Sequence, residues 1–167
     1  MKKPFRKNVP LLLLVGLFIS AASPKPADEV TGTLTYQSAG KTYTLAIRHV
    51  SFVKGPDAVE PTKRIRRLIF SNTDFSATLK ASPTLAKADG KLTEALEVDL
   101  DAGSRLNYWL VLNDQRVQYS GTEKLAALTL RTDTPTRLAG TLRFDGTPAG
   151  GPQVDVTFEA SLLKEFK

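Results

Sequence analysis

His49 is the only histidine among 167 residues, and the chain has no cysteine. Imidazole, with an unperturbed pKa of about 6.5, is the side chain best suited to general acid–base work at neutral pH. A Ser-His-Asp relay needs a hydroxyl and a carboxylate brought to that ring, and serines and aspartates are plentiful. No Gly-x-Ser-x-Gly elbow presents a nucleophile. His49 also stands where the apolar alternation changes phase, and there its ring can hydrogen-bond a backbone group that the change leaves unpaired. We adopt this structural role and keep a cryptic hydrolase around His49 as an alternative.

Metal chemistry has little to work with. Zinc or copper wants at least two nitrogen or sulfur ligands, and only His49 offers one. Calcium takes oxygen, and Asp99, Asp101 and Asp114 are the nearest approach to a ligand set, without EF-hand spacing. No metal or other cofactor is expected. A glycosidase needs two carboxyls across a sugar cleft, yet every acid here can be placed on a polar strand face or in a loop. Lys63, Arg64, Arg66 and Arg67 form the densest basic cluster. They could meet an anionic partner, but Glu97, Asp99 and Asp101 supply a negative strand face, and opposite charges on neighbouring strands stabilise a sheet. The internal or solvated pairing is the expectation.

Trp109 is the one candidate binding residue. In 106–113, Leu106, Tyr108, Leu110 and Leu112 share one parity, and Trp109 falls on the other with Asn107, Val111 and Asn113. An outward indole offers a flat apolar face and one N–H donor, suited to stacking on a sugar or to a protein contact. The same pattern also fits a strand buried on both faces.

The elements that must carry these residues are short strands. Period-two alternation runs through Val30–Gln37, Tyr43–Ile47, Leu96–Asp101, Leu106–Leu112 and, most cleanly, Val154–Leu162. Ala39-Gly40, Ala102-Gly103 and Asn113-Asp114 read as turns, the last leading to Val117 and Tyr119. The phase change at His49 predicts a bulge or a strand passing from one sheet to another. Residues 65–70 read as a central strand. One short helix is expected, with Ser82 as N-cap, Pro83 in the first turn, Leu85 and Ala86 toward the core and Gly90 at its end. Eight or nine strands with one short helix predict an all-β fold, a two-layer antiparallel β-sandwich of immunoglobulin-like type over 30–167. A lipocalin-type closed barrel is the runner-up.

Residues 1–22 read as a Sec-type signal peptide. Lys2, Lys3, Arg6 and Lys7 precede an apolar run of 14 residues, Val9–Ala22, that ends in Ser20-Ala21-Ala22. A spanning helix needs about 20 apolar residues, so no stable membrane span is expected after cleavage before Ser23. Residues 23–29 read as a flexible, Pro-containing linker. The leader holds four of the 23 basic residues and none of the 17 acids, leaving 19 against 17, a net charge of +2. That removes the basic footprint a nucleic-acid binder needs, so no nucleic-acid partner is expected.

The chain resembles a group of small secreted bacterial β-sandwich proteins to which no activity is attached. The likeness rests on Gly32-Thr33-Leu34-Thr35, Ile47–Phe52, Ile65–Ser71, Glu97-Val98-Asp99, Leu138–Leu142 and Asp155–Ala160. It implies the sandwich fold and an envelope location; the region 105–125 departs from the group. The expectation is a periplasmic or secreted, non-enzymatic β protein with an accessory or protein-interaction role. Its partner would be another envelope protein or a glycan, and its oligomeric state is left open. A small-ligand binder, for carbohydrate or a lipophile, is the other alternative.

Overall fold

A computed structural model describes residues 27–57, 60–113 and 118–167. The expected signal peptide 1–22, residues 23–26 of the linker, Asp114 and Val117 lie outside the described residues. Residue 28 is no free tether, because the Asp28 carboxylate accepts the Ser161 backbone N–H at 2.8 Å.

Ten strands and two short helices follow one another: β1 (Glu29–Ser38), β2 (Lys41–Ala46), β3 (His49–Pro56), β4 (Arg64–Ser71), α1 (Ser76–Ala81), α2 (Leu85–Asp89), β5 (Ala95–Asp99), β6 (Arg105–Val111), β7 (Tyr119–Lys124), β8 (Leu128–Thr134), β9 (Arg137–Asp145) and β10 (Gln153–Glu165). The all-β expectation holds at this level. The two-layer antiparallel sandwich does not: the strands form one curled, mixed sheet, closer to half of a barrel.

The reason lies in β10. From Gln153 to Ser161 it pairs antiparallel with β1 on one side and β9 on the other. Its last residues, Leu162–Glu165, pair in parallel with Phe52–Lys54 of β3, after a register shift. One strand thereby welds β2-β1-β10-β9-β8 to β3-β4-β5-β6-β7. The curl does not close, because β7 and β8 are joined by a 3-10 turn at Leu125–Ala127 and do not pair. This also sets aside the closed lipocalin-type barrel.

The phase change at His49 marks a strand leaving one part of the sheet for another. The Ile47 N–H bonds Gly32 O of β1 at 3.1 Å, and the Arg48 N–H bonds Ser71 O of β4 at 2.9 Å. Parity then resets at β3. Alternation sends Leu34, Leu45, Phe52, Leu68, Phe70, Leu96, Val98, Leu106, Leu110, Leu142, Val156 and Phe158 into the concave side, where they form one packed core. Each such side chain contributes roughly 1.5–3 kcal/mol by leaving water. All four tyrosines and Phe144 gather in this core, with the Tyr108 ring 5.0 Å from Phe144 and 6.0 Å from Tyr119.

The expected helix is two. α2 is capped by the Thr84 hydroxyl, which accepts the Lys87 N–H, and not by Ser82. It buries Leu85 and Ala88 but exposes Ala86. Ser82 instead ends α1, its hydroxyl donating to Thr78 O. Helices this short are unstable alone. Leu79, Leu85, Ala88 and Leu92 pack them over Val53, Ile65, Ile69, Ala95 and Phe166 on the outer face of β3–β5. Those strands are therefore buried on both sides, and β5 has no exposed residue.

Candidate functional site

Alternation that places Leu68, Leu96 and Tyr108 inside turns Arg67, Glu97, Asp99 and Trp109 to the outer face. Register aligns them: Arg67 is opposite Asp99, and Glu97 opposite Trp109. The helices cover this patch, so charges that would otherwise be solvated are enclosed. Arg67 is 3% exposed, Glu97 5% and Asp99 2%. Arg67 donates Nε and Nη2 to Asp99 at 2.5 and 3.0 Å, and Nη1 to Glu97 and to Asp89 of α2, both at 2.8 Å. Its guanidinium carbon lies 5.2 Å from the centre of the half-buried Trp109 indole. The ring of Trp109 thus walls one side of an ion cluster, with a cation–π contact holding it in place.

Burial pushes the Glu97 carboxyl up to about 8, with Arg67 opposing and Asp89 and Asp99 reinforcing the rise. Burial also raises Asp99 against the pull of Arg67. Burial works against the Arg67 cation, yet hydrogen bonding to Asp99 and the three carboxyls overcome it and raise its pKa. Asp89 was missed by sequence reasoning. It sits in a helix whose packing direction no local pattern reveals, and its Oδ1 is buried without a hydrogen bond from the described residues.

The rest of the basic cluster is also engaged. Arg66 grips Asp101 through Nε at 2.8 Å and Nη2 at 2.9 Å, and its Nη1 reaches Asp133 of β8. Burial opposes ionisation of Asp101, but the Arg66 hydrogen bonds win and hold its carboxyl below the usual range. Arg64 donates to Glu165 at 3.1 Å and to Phe166 O at 2.6 Å. The expected pairing of basic residues with the negative strand face is what the structure displays for Arg66 and Arg67. Asp99 and Asp101, two of the possible calcium ligands, are each held by a guanidinium.

His49, half buried at the start of β3, lines a cleft of about 200 Å³ with Asp28, Arg48, Ser51, Asp74 and Ser76. Hydrogen bonds from Ser76 hold the Asp74 carboxyl below the usual range, and His49 is close enough to add to this. Among the described residues the His49 ring makes no hydrogen bond, neither to a hydroxyl nor to the backbone group expected for it. The anticipated structural hydrogen bond is therefore replaced by proximity to Asp74.

A third region was not singled out from the sequence, although its pattern was visible. The outward parity of β1, β2, β8, β9 and β10 is rich in threonine. Register places Thr129, Thr141, Thr157 and Thr31 in one row across four strands, with Thr33, Thr35, Thr42 and Thr44 beside it. None of these eight hydroxyls has a hydrogen-bond partner among the described residues. Five charges on the same face are paired locally: Arg143 with Asp155 at 2.7 Å, and Arg137 and Arg131 with Glu159. A shallow, open cleft of about 440 Å³ lies there, lined by Thr33, Thr35, Arg143, Asp145, Gln153 and Asp155, with Phe144 its one aromatic.

Compared with known proteins, the chain matches no family model, no curated protein and no solved structure.

Proposed function

We propose that the protein is exported to the periplasm or beyond and works by contact and not by catalysis. Its contact surface is the outward, threonine-rich face of β2-β1-β10-β9-β8. The observation that carries this reading is the row Thr129–Thr141–Thr157–Thr31, four hydroxyls on adjacent strands with no hydrogen-bond partner among the described residues. Strand spacing sets such hydroxyls about 4.8 Å apart. The face has no apolar centre of the kind protein interfaces are built on. Five of its charges are paired with one another, which leaves little for an ionic partner to hold. A hydroxyl array with Gln153, Asp145 and Arg143 at its edge suits a neutral, polyhydroxylated partner, so an envelope glycan is favoured over a second protein. The packed concave side favours an outer-face site over an internal one for a lipophile.

The test is co-sedimentation of the purified protein with cell-wall polysaccharide, alongside titration with soluble neutral glycans. Thr33→Val, Thr141→Val and Thr157→Val together remove three hydroxyls and keep volume. Retention that falls at least tenfold in the triple variant, with unchanged melting temperature, is expected. Absent retention, together with hydrolysis of an ester or peptide panel that is lost in His49→Gln, would sink the reading.

A further inference from the structure

The cluster beneath Trp109 sets one guanidinium against three carboxyls. β4 contributes Arg67, β5 Glu97 and Asp99, and α2 Asp89; Asp57, at the end of β3, adds its charge to the field at Asp99. If every carboxyl were ionised, two negative charges would stay uncompensated in a site where Glu97 and Asp99 are almost fully enclosed. Desolvated charge of that kind is relieved by protonation. A second fault sits at the same place, since Asp89 Oδ1 is buried and receives no hydrogen bond from the described residues. One proton on Glu97 resolves both. It removes a negative charge, and it makes a donor of the carboxyl that shares Arg67 Nη1 with Asp89. Glu97 is the natural carrier, because Asp99 already takes two hydrogen bonds from Arg67.

We propose that a protonated Glu97 donates to the Asp89 carboxylate and so latches α2 onto β5, and that losing this proton as pH rises loosens α2 from the outer face of the sheet. α2 has five residues and buries only Leu85 and Ala88, so it depends on tertiary ties. When the proton leaves, Glu97 and Asp89 become two carboxylates competing for one guanidinium nitrogen. The side chain of Asp89 is 30% exposed and can turn toward water, taking the helix with it.

The sign follows from linkage. Burial under α2 pushes the Glu97 carboxyl up to about 8, and opening that cover to water lowers it toward its ordinary 4.5. The latched state therefore binds the extra proton throughout that window. Its advantage is complete below the lower value, shrinks as pH rises and levels off above the upper one.

Hydrogen-exchange protection of the Ala88 and Gly90 amides, which bond Thr84 O and Ala86 O, reads the latch directly. Corrected for intrinsic exchange, protection should fall by up to tenfold per pH unit between about pH 5 and 8 and then flatten. Emission of Trp109, the chain's one tryptophan, should shift over the same range. Glu97→Gln keeps a donor without a titratable proton, and its protection should be independent of pH. A flat wild-type profile overturns the proposal, as does a fall that persists unchanged in Glu97→Gln. If that variant does not fold, infrared difference spectra of the wild type decide. A protonated-carboxyl band lost between about pH 6 and 9 is expected, and its absence overturns the latch. The outcome is independent of whether the threonine face binds a glycan.

Discussion

Arg67→Leu removes the one cation that three carboxyls share, and the structure allows its cost to be reasoned in advance. Arg67 is 3% exposed and makes four hydrogen bonds to Asp89, Glu97 and Asp99. Removing one partner of a buried pair costs about 3–5 kcal/mol, because the other charge is left without compensation. Here the carboxyls can respond by taking protons, and they do so more readily in acid. With Arg67 gone, Glu97 and Asp99 lose the cation that opposes their rise. Their raised pKa values make the variant progressively less stable as pH increases. The loss should reach about 3–5 kcal/mol near pH 8 and about half that near pH 5. For a domain of this size each kcal/mol lowers the melting temperature by about 2–4 °C, so a drop of about 10–15 °C is expected near pH 8. Circular dichroism melts at the two pH values, with urea titration for the free energies, measure it. Changing Glu97 and Asp99 to Leu as well should recover most of the loss, since an apolar cluster of similar volume packs without desolvation cost. A loss below about 1 kcal/mol near pH 8, or one that does not vary with pH, would refute the account.

Trp109→Ala should cost about 1–2 kcal/mol, more than a free surface residue and less than a core aromatic, because the indole is half buried and stacked on Arg67. Acrylamide should quench the wild-type emission only partly. Gly32→Ala should cost at least about 3 kcal/mol in urea unfolding. Gly32 sits at φ +147°, and an added Cβ would lie 2.2 Å from Asp155 O of β10. His49→Gln should move stability by less than about 0.5 kcal/mol, since its ring has no hydrogen bond among the described residues to lose.

Much of the concave core was legible because alternation is a local signal. Val154, Val156, Phe158 and Ala160 read as one inward set, and they are. The phase change at His49 was equally local, being the place where the backbone exchanges Gly32 for Ser71 as its partner. The joining of the sheet was not legible. Leu163 breaks the alternation in a way that also suits an ending strand, and only the position of β3 decides that the strand continues in parallel. α1 escaped notice because its N-cap position holds Phe75, which offers no side-chain acceptor. Its far end is held from outside, where Lys164 Nζ donates to Lys80 O at 2.8 Å and also reaches Leu79 O at 3.4 Å. The candidate sites divide the same way. Arg67 and the acids of β5 could be paired by strand register, whereas Asp89 reaches them through a helix 22 residues away in sequence. That burial on the outer face also explains why acids on a polar parity are not solvated here.

The weld made by β10 governs when the chain can fold. β1, β3 and β9 all pair with the last strand in chain order, and β1 meets it across more than a hundred residues. Bringing such distant segments together places the protein among slow, non-local folders, on the scale of milliseconds to seconds. On a ribosome, β1-β2 and then β3-β4-β5-β6-β7 can form early, but β1 and β3 each lack one neighbour until β10 has been synthesised. A nascent chain stopped before Gln153 would leave both halves with open edges. Under the proposed export, that delay keeps the chain unfolded for threading through a secretion channel, because β10, which joins the two halves, enters after them.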